Sequence, residues 1–169
     1  MKIEMKILDD RLNDIGYATP GAAAMDLRAC SVEGSIVIRP GERTKIGTGV
    51  AVDLGSVRFD GDFVPSGGGY AMENFYGFHA YSALVLPRSG LGSKGIVLSN
   101  LVGLIDEDYQ GEVLLSVWNA GDAPFEIHAL DRLAQLMIVP AVRPSFDIVS
   151  DFTRKTARGT GGFGSTGTK

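Results

Sequence analysis

The sequence predicts an all-β domain, and three observations support this fold class. Apolar residues alternate with polar or small ones in the period-2 pattern of half-buried strands. Turn-forming residues recur at short intervals. No segment carries a long helical period. Many short strands separated by turns are typical of a β-sandwich or β-barrel.

The predicted strands follow in order along the chain. Residues 45–54 and 113–118 alternate most clearly, which indicates strands with one buried face, whereas the continuous apolar run Leu133–Val139 predicts a strand buried on both faces. Turn residues fall at 39–42, 119–122 and 129–131. The helix that the sequence predicts best is one or two turns after Ser89, with this serine as N-cap.

Composition narrows the function classes. A chain of 169 residues fits one domain, and its net charge of −4 argues against broad nucleic-acid binding, which needs a basic surface. No apolar run approaches the ~18 residues of a membrane span, and Met1 to Asp10 lacks a signal-peptide core. The single cysteine, Cys30, suits a reducing cytoplasm, and we expect a small core residue there.

The predicted β domain spans residues 1–153. Two segments of the chain differ from the rest in composition, one inside this domain and one after it. Residues 55–79 are glycine-rich but hold six of the 14 aromatic residues, so we expect a packed hairpin or loop that covers another surface. The tail, 154–169, has five glycines and no acidic residue. Its G-x-G-x-x-G pattern at 159–164 lacks the βαβ context of a dinucleotide site, which leaves a flexible phosphate clamp or a solvated tail.

Residues 87–113 combine the groups that phosphate-ester hydrolysis requires. Arg88, Ser89 and the following glycines offer a guanidinium, a hydroxyl and backbone amides to a phosphate. Asp106 and Asp108 lie where two apolar strands meet, so we expect a hairpin with an acidic tip. These carboxylates fit water activation, a metal site or a solvated turn.

Two polar residues fall inside apolar stretches. Asp26 is costly to bury without a partner, so we expect an arginine or a polar site beside it. Gln135 lies within Leu133–Met137 and must find hydrogen-bond partners of its own.

Five short motifs in a fixed order resemble those of the trimeric dUTPases. They are Ala-Ala-Met-Asp-Leu at 23–27, Pro-Arg-Ser-Gly-Leu-Gly at 87–92, Asn-Leu-Val-Gly-Leu-Ile-Asp-Glu-Asp-Tyr-Gln-Gly at 100–111, Asp-Arg-Leu-Ala-Gln-Leu at 131–136 and Arg-Gly-Thr-Gly-Gly-Phe-Gly-Ser-Thr-Gly at 158–167. The resemblance implies a jelly-roll-like homotrimer with active sites between subunits. It also implies Mg²⁺-assisted hydrolysis of dUTP to dUMP and pyrophosphate, which limits uracil in DNA and supplies dUMP for thymidylate synthesis.

The resemblance also implies a role for individual residues. Asp106 would orient the attacking water, Tyr109 would pack on the deoxyribose, and Asp26 would support Mg²⁺ through water. The third motif would form a hairpin whose backbone reads uracil, and the tail would close over the base from a neighbouring subunit. The implied substrate-binding residues are Arg88, Ser89, Gly90, Asn100, Gly103, Ile105, Tyr109, Gln135, Arg158, Gly162, Phe163 and Gly164.

Two departures and two alternatives accompany the resemblance. Met25 replaces the tyrosine, leucine or phenylalanine frequent before Asp26, and residues 55–79 exceed the usual connection between motifs one and two. A dCTP deaminase would share the fold and the Arg-Ser pair, but it would need a glutamate at the base-reading site. A non-catalytic dUTP-binding trimer would be expected to lose Asp106.

Overall fold

The computed structural model describes residues 1–58 and 80–162, and within them eleven strands and one helical turn form the regular structure. The strands are β1 (Lys2–Ile7), β2 (Met25–Arg28), β3 (Ser35–Ile38), β4 (Arg43–Gly47), β5 (Val50–Arg58), β6 (Ala80–Pro87), β7 (Ile96–Leu98), β8 (Gly103–Ile105), β9 (Leu114–Asn119), β10 (Phe125–His128) and β11 (Arg132–Ala141). The helical turn, α1, spans Ser89–Gly92 and follows β6. The predicted all-β class is confirmed.

Antiparallel pairing joins strands that are distant in sequence. One sheet has the order β2-β11-β6-β8, a second has the order β4-β9-β7, and two ribbons pair β1 with β5 and β3 with β10. Side chains from both larger sheets, such as Leu27, Val85, Ile46 and Val117, belong to one apolar core. The two layers therefore share a single buried interior.

The structure confirms the predicted burial of two strands. In β9, Leu115 and Val117 are buried whereas Leu114 is 53% exposed, which agrees with a strand that has one buried face. Strand β11 lies between β2 and β6, and every residue from 133 to 139 is buried or half-buried.

The alternation predicted for residues 45–54 is wrong in its middle, because every residue from 46 to 52 is buried. The chain leaves β4 at Gly47 and enters β5 at Val50, with Gly49 at a φ of +65° between them. A Cβ at Gly49 would lie 3.0 Å from Cys30 Sγ and 3.0 Å from Leu12 Cδ1. This corner therefore packs closely against the core residues Cys30 and Leu12.

Cys30 is the small core residue that its sequence context predicted. It is 5% exposed, and its Sγ donates a hydrogen bond to the Thr48 carbonyl at 3.1 Å. Burial raises the pKa of this thiol to about 11, with a further contribution from the Asp9 carboxylate. The thiolate, which is the reactive form, is therefore disfavoured.

Two local predictions are wrong. The N-cap of α1 is Arg88, in extended conformation, and no side chain caps the turn, so Ser89 is the first helical residue and not its cap. The predicted hairpin with an acidic tip is also not formed. Strands β8 and β9 do not pair with each other, because β8 pairs with β6 whereas β9 pairs with β4 and β7. Residues 106–113 instead cross from one sheet to the other.

Residues 59–79 lie outside the described part of the chain. The packed hairpin or loop predicted for residues 55–79 falls mostly on these residues. The segment leaves from the end of β5 and returns at the start of β6. In the described ranges, no helix has the length and apolar character needed to cross a membrane.

Candidate active site

An open cavity of about 620 Å³ lies where β6 ends and α1 begins. Its walls include residues from the first, second and fourth sequence motifs, together with the loop that precedes β2. The lining residues predicted from the sequence are Asp26, Arg88, Ser89, Gly90 and Gln135. The fold thus assembles three distant motifs at one surface.

Asp26 is held by two guanidinium groups, which confirms the predicted arginine partner. Arg88 Nε lies 3.0 Å from Asp26 Oδ1, and Arg132 Nη1 lies 3.2 Å from Asp26 Oδ2. Arg88 also donates to the Arg132 carbonyl at 3.2 Å. One carboxylate therefore separates two cations, and together the three groups retain one net positive charge that can attract an anion.

Gln135 faces the same cavity from the central strand. It is the cross-strand partner of Asp26 in the β2–β11 ladder. Its amide Nε2 donates to the Pro87 carbonyl at 3.0 Å, so the predicted hydrogen-bond partner is present. This contact ties Gln135 to the residue directly before Arg88.

The turn after Arg88 leaves polar groups open to a ligand. Ser89 and Gly90 are exposed, and a Cβ at Gly90 would meet no atom of this chain within 4 Å. Lys94 adds a further cation to the cavity wall. Guanidinium, ammonium, hydroxyl and exposed backbone are the chemistry that binds a polyphosphate.

The third motif is ordered but does not line this cavity. Asp106 is exposed, and its carbonyl accepts a hydrogen bond from the Tyr109 amide at 3.2 Å. The Tyr109 hydroxyl donates to the Glu112 carbonyl at 2.8 Å, and a Cβ at Gly111 would lie 2.7 Å from that hydroxyl. Glycine at 111 therefore lets the tyrosine ring lie over the backbone.

The other third-motif residues lie beside β6. Gly103 and Ile105 pair with Val85 and Ala83 of that strand, and a Cβ at Gly103 would lie 3.0 Å from Val85 Cβ. Asn100 is exposed in the bend that links β7 to β8. These residues form a compact unit with Asp106, which follows Ile105 directly.

The described part of the tail, residues 154–162, also does not line the cavity. Arg158 Nε donates to the Gly161 carbonyl at 3.1 Å, and Gly162 is exposed. Phe163 and Gly164 lie outside the described residues. The structure therefore brings together the first, second and fourth motifs, whereas the third motif and the described residues of the fifth, 158–162, do not line this cavity in the same chain.

The donor set around Asp26 fits a magnesium ion only indirectly. Both carboxylate oxygens already accept from arginines, at 3.0 and 3.2 Å. Among residues 1–58 and 80–162, no three His, Cys, Asp or Glu side chains cluster to hold a metal. Mg²⁺ prefers to keep several waters and to bind substrate phosphates, so contact with Asp26 through water suits this geometry.

Sequence reasoning missed two cavity cations, Arg132 and Lys94, and the small residues Ala18, Ala22 and Ala24. Arg132 belongs to the fourth motif, and its position on the strand of Gln135 could have indicated it. Ala24 belongs to the first motif in the same way, whereas Lys94, Ala18 and Ala22 lie outside the five motifs and carry no such signal.

The chain is similar to known proteins in both sequence and structure. A family model described as dUTPase matches residues 78–167. A deoxyuridine 5'-triphosphate nucleotidohydrolase from Bordetella pertussis is 47% identical over 168 residues, covering 98% of this chain and 97% of its own length. The chain belongs to the dUTPase family. A second dUTPase relative, from Paraburkholderia phytofirmans, is also 47% identical and covers 99% of both chains.

Solved dUTPase structures share the jelly-roll-like β fold. The dUTPase of Staphylococcus bacteriophage 80alpha, solved with dUPNHPP, has a TM-score of 0.75 and 24% identity, with 98% of each chain covered. A mutant dUTPase from phage phi11 of S. aureus, described with a structural Mg(II) ion, has a TM-score of 0.66 and 22% identity and covers 90% of this chain and 99% of its own.

Proposed function

We propose that this dUTPase family member hydrolyses dUTP to dUMP and pyrophosphate at a site completed by neighbouring copies of the chain. The observation that supports this best is the cavity that gathers Asp26, Arg88, Ser89 and Gln135, because its cations and hydroxyl suit a triphosphate. Relatives at 47% identity are nucleotidohydrolases of deoxyuridine 5'-triphosphate. Through this reaction the enzyme limits uracil in DNA and supplies dUMP for thymidylate synthesis.

The phosphate-binding half of the site uses positions fixed by the fold. Arg88 and Ser89 bind phosphate oxygens, and Gly90 leaves room for a phosphate to approach the backbone. Gln135 contributes from β11, whose pairing with β2 sets its distance from Asp26. Because Arg88 already has a hydrogen-bonded partner, less conformational entropy is lost when phosphate binds.

The base- and water-binding half comes from the third motif. The backbone around Asn100, Gly103 and Ile105 reads the uracil, and Tyr109 packs on the deoxyribose. Asp106 orients a water molecule in line with the α-phosphorus and accepts its proton. The new bond joins the water oxygen to phosphorus while the bond from phosphorus to the bridging oxygen breaks, and pyrophosphate leaves.

A trimer would bring these halves together. In one chain, Asp106 and Tyr109 do not line the cavity of Arg88, so a second copy must supply them. The segment after β11 exposes large apolar side chains: Phe146 is 81% exposed, Ile148 is 90% and Phe152 is 85%. Exposed apolar area of this kind marks an interaction surface. We assign another subunit as the partner that covers it. The tail then delivers Arg158, Gly162, Phe163 and Gly164 to a neighbouring site.

Magnesium belongs to the proposed reaction as a partner of the substrate. When bound to the phosphates it withdraws negative charge from them, and Asp26 would hold its waters. The chain's own residues bind the phosphates, orient the water and exclude other water molecules. The cytoplasm is the compartment that we propose for this chemistry.

The test measures pyrophosphate release from dUTP, dTTP, dCTP and UTP, for the wild type and for Asp106→Asn. We expect activity on dUTP alone and a loss of at least about 100-fold in the variant, the range of a lost general base. Comparable rates on dTTP or full activity of Asp106→Asn would contradict the proposal. Deamination of dCTP would support the alternative enzyme class.

A further inference from the structure

Asp53 of β5 uses both carboxylate oxygens, each for a different structural unit. Its Oδ1 accepts the Gly55 amide at 3.1 Å, inside its own strand. Its Oδ2 accepts Nε2 of Gln110 at 3.0 Å, from the segment that carries Asp106 and Tyr109. One side chain therefore joins β5 to residues 106–110, which we call the acidic turn.

The local shape of β5 explains why this carboxylate points outward. Glu4 of β1 pairs with Asp53 and Lys2 pairs with Arg58, so β5 holds extra residues between these pairs. The Asp53 carbonyl accepts the Ser56 hydroxyl at 2.6 Å, and the Asp53 carboxylate accepts the Gly55 amide. Asp53 thus fixes this β-bulge from both its backbone and its side chain.

The acidic turn has a second fixed point on its other side. Glu107 Oε2 lies 2.9 Å from Arg143 Nη2, just beyond β11. Residues 107 and 110 flank Asp108 and Tyr109, so contacts to two separate parts of the chain hold the turn. A side chain that must orient one water needs such support from its neighbours.

We propose that Asp53 is a positioning residue, which sets the geometry of Asp106 through its hydrogen bond to Gln110, whereas Tyr109 is held separately by its bond to the Glu112 carbonyl. This inference rests on the proposed role of Asp106 in orienting water. Asp53 does not line the cavity of Arg88, so losing its contact to Gln110 should slow the chemical step and leave substrate affinity nearly unchanged. The pair lines an open groove beside β1, where water competes for the contact, so a moderate effect is expected.

The first test replaces Gln110 by methionine, which keeps the side-chain length and removes the donor. We expect kcat for dUTP to fall roughly 2- to 12-fold, the range of one net hydrogen bond, with KM changed less than about twofold. Ser35→Ala is the matched control, because it removes another exposed contact, the 2.5 Å hydrogen bond from Ser35 to Glu126. It should leave kcat and KM at wild-type values.

The second test reverses the polarity of the contact. Gln110→Glu places a carboxylate against Asp53 and should lower kcat more than Gln110→Met does, because the two anions repel. The double variant Asp53→Asn with Gln110→Glu restores a donor opposite an acceptor, and it should recover kcat to within about threefold of wild type. A general loss of folding would give no such rescue.

The outcomes separate this inference from the proposed function. Wild-type kcat in Gln110→Met, or no recovery in the double variant, would overturn the positioning role even if Asp106→Asn is inactive. Full activity of Asp106→Asn would instead remove the proposed function itself. Thermal midpoints of all variants, measured alongside, show whether each protein remains folded.

Discussion

Gln135 lies directly opposite Asp26 across the β2–β11 ladder. The amide of Gln135 bonds the Pro87 carbonyl, and Asp26 bonds the Arg88 guanidinium one residue later. A single cross-strand pair thus holds both ends of the Pro87–Arg88 dipeptide. Arg88, which we propose binds phosphate, is therefore held in place by two neighbouring strands of the sheet.

Arg88→Lys tests whether this fixed geometry matters beyond charge. Lysine keeps the cation but loses the planar fork that holds Asp26 and a phosphate together. We expect kcat/KM for dUTP to fall at least about tenfold, equivalent to about 1.4 kcal/mol. Steady-state pyrophosphate release measures it.

Arg28→Lys is the matched control for that change. Arg28 lies two residues from Asp26 on β2, but it donates to the Leu130 carbonyl and does not line the cavity. It should keep kcat/KM within about twofold of wild type, as expected for a site away from the chemistry. Equal losses in the two variants would contradict a specific role for Arg88 in the cavity.

Cys30 should make the protein sensitive to alkali. Its folded pKa of about 11 exceeds the ordinary value of 9.0, so the folded state binds a proton that the unfolded state loses first. The stabilising contribution is complete below pH 9 and is lost as pH rises toward 11. Urea unfolding at pH 8 and pH 10.5 should show a larger drop for wild type than for Cys30→Ala. A parallel drop in both would mean that other groups dominate.

Gly49→Ala should be strongly destabilising because two costs coincide. The residue has a φ of +65°, and an added Cβ would lie 2.9 Å from Asp9 Cβ and 3.0 Å from Leu12 Cδ1. We expect a loss of about 3 kcal/mol or more in the free energy of unfolding. Gly34→Ala has a similar φ of +70° with open space around it, and should cost about 1 kcal/mol. Urea titration compares them, and equal costs would exclude crowding.

The exposed apolar segment after β11 should be needed for assembly. Replacing Phe146 and Ile148 together by serine removes two side chains that are 81% and 90% exposed in one chain. If another subunit covers them, the trimer weakens and dUTP hydrolysis falls with it. Light scattering after size exclusion measures the mass. Val37→Ser is the control, because Val37 is 48% exposed on β3, and it should leave the mass unchanged.

Sequence periodicity predicted the fold class because strands record their environment locally. Leu115 and Val117 of β9 report one buried face through alternation, and β11 reports two through a continuous apolar run. The predicted alternation is wrong at 46–52, because the chain turns at Gly49 and residues from other segments pack against this corner. The predicted hairpin of β8 with β9 is wrong because β8 pairs with β6, and pairing between distant strands leaves no local signal in the sequence.

The site was predictable where a residue conflicted with its surroundings. Asp26 in an apolar stretch required a cation, and the structure supplies Arg88 and also Arg132. The second arginine could not be inferred, because Asp26 alone does not indicate how many partners it has. The contact from Asp53 to Gln110 also gave no sign, since both residues suit an ordinary exposed surface.

The chain passes from one sheet to the other between Ile105 and Leu114, so the segment with Asp106 is a tie between the two layers of the core. If Asp106 orients the attacking water as we propose, the spacing of those layers affects the rate of hydrolysis. Val113 and Leu115 are fully or almost fully buried at the far end of this tie, and a change in their volume would shift the carboxylate without touching it. The packing of the apolar interior would thereby influence the rate of the proposed reaction as well as the stability of the fold.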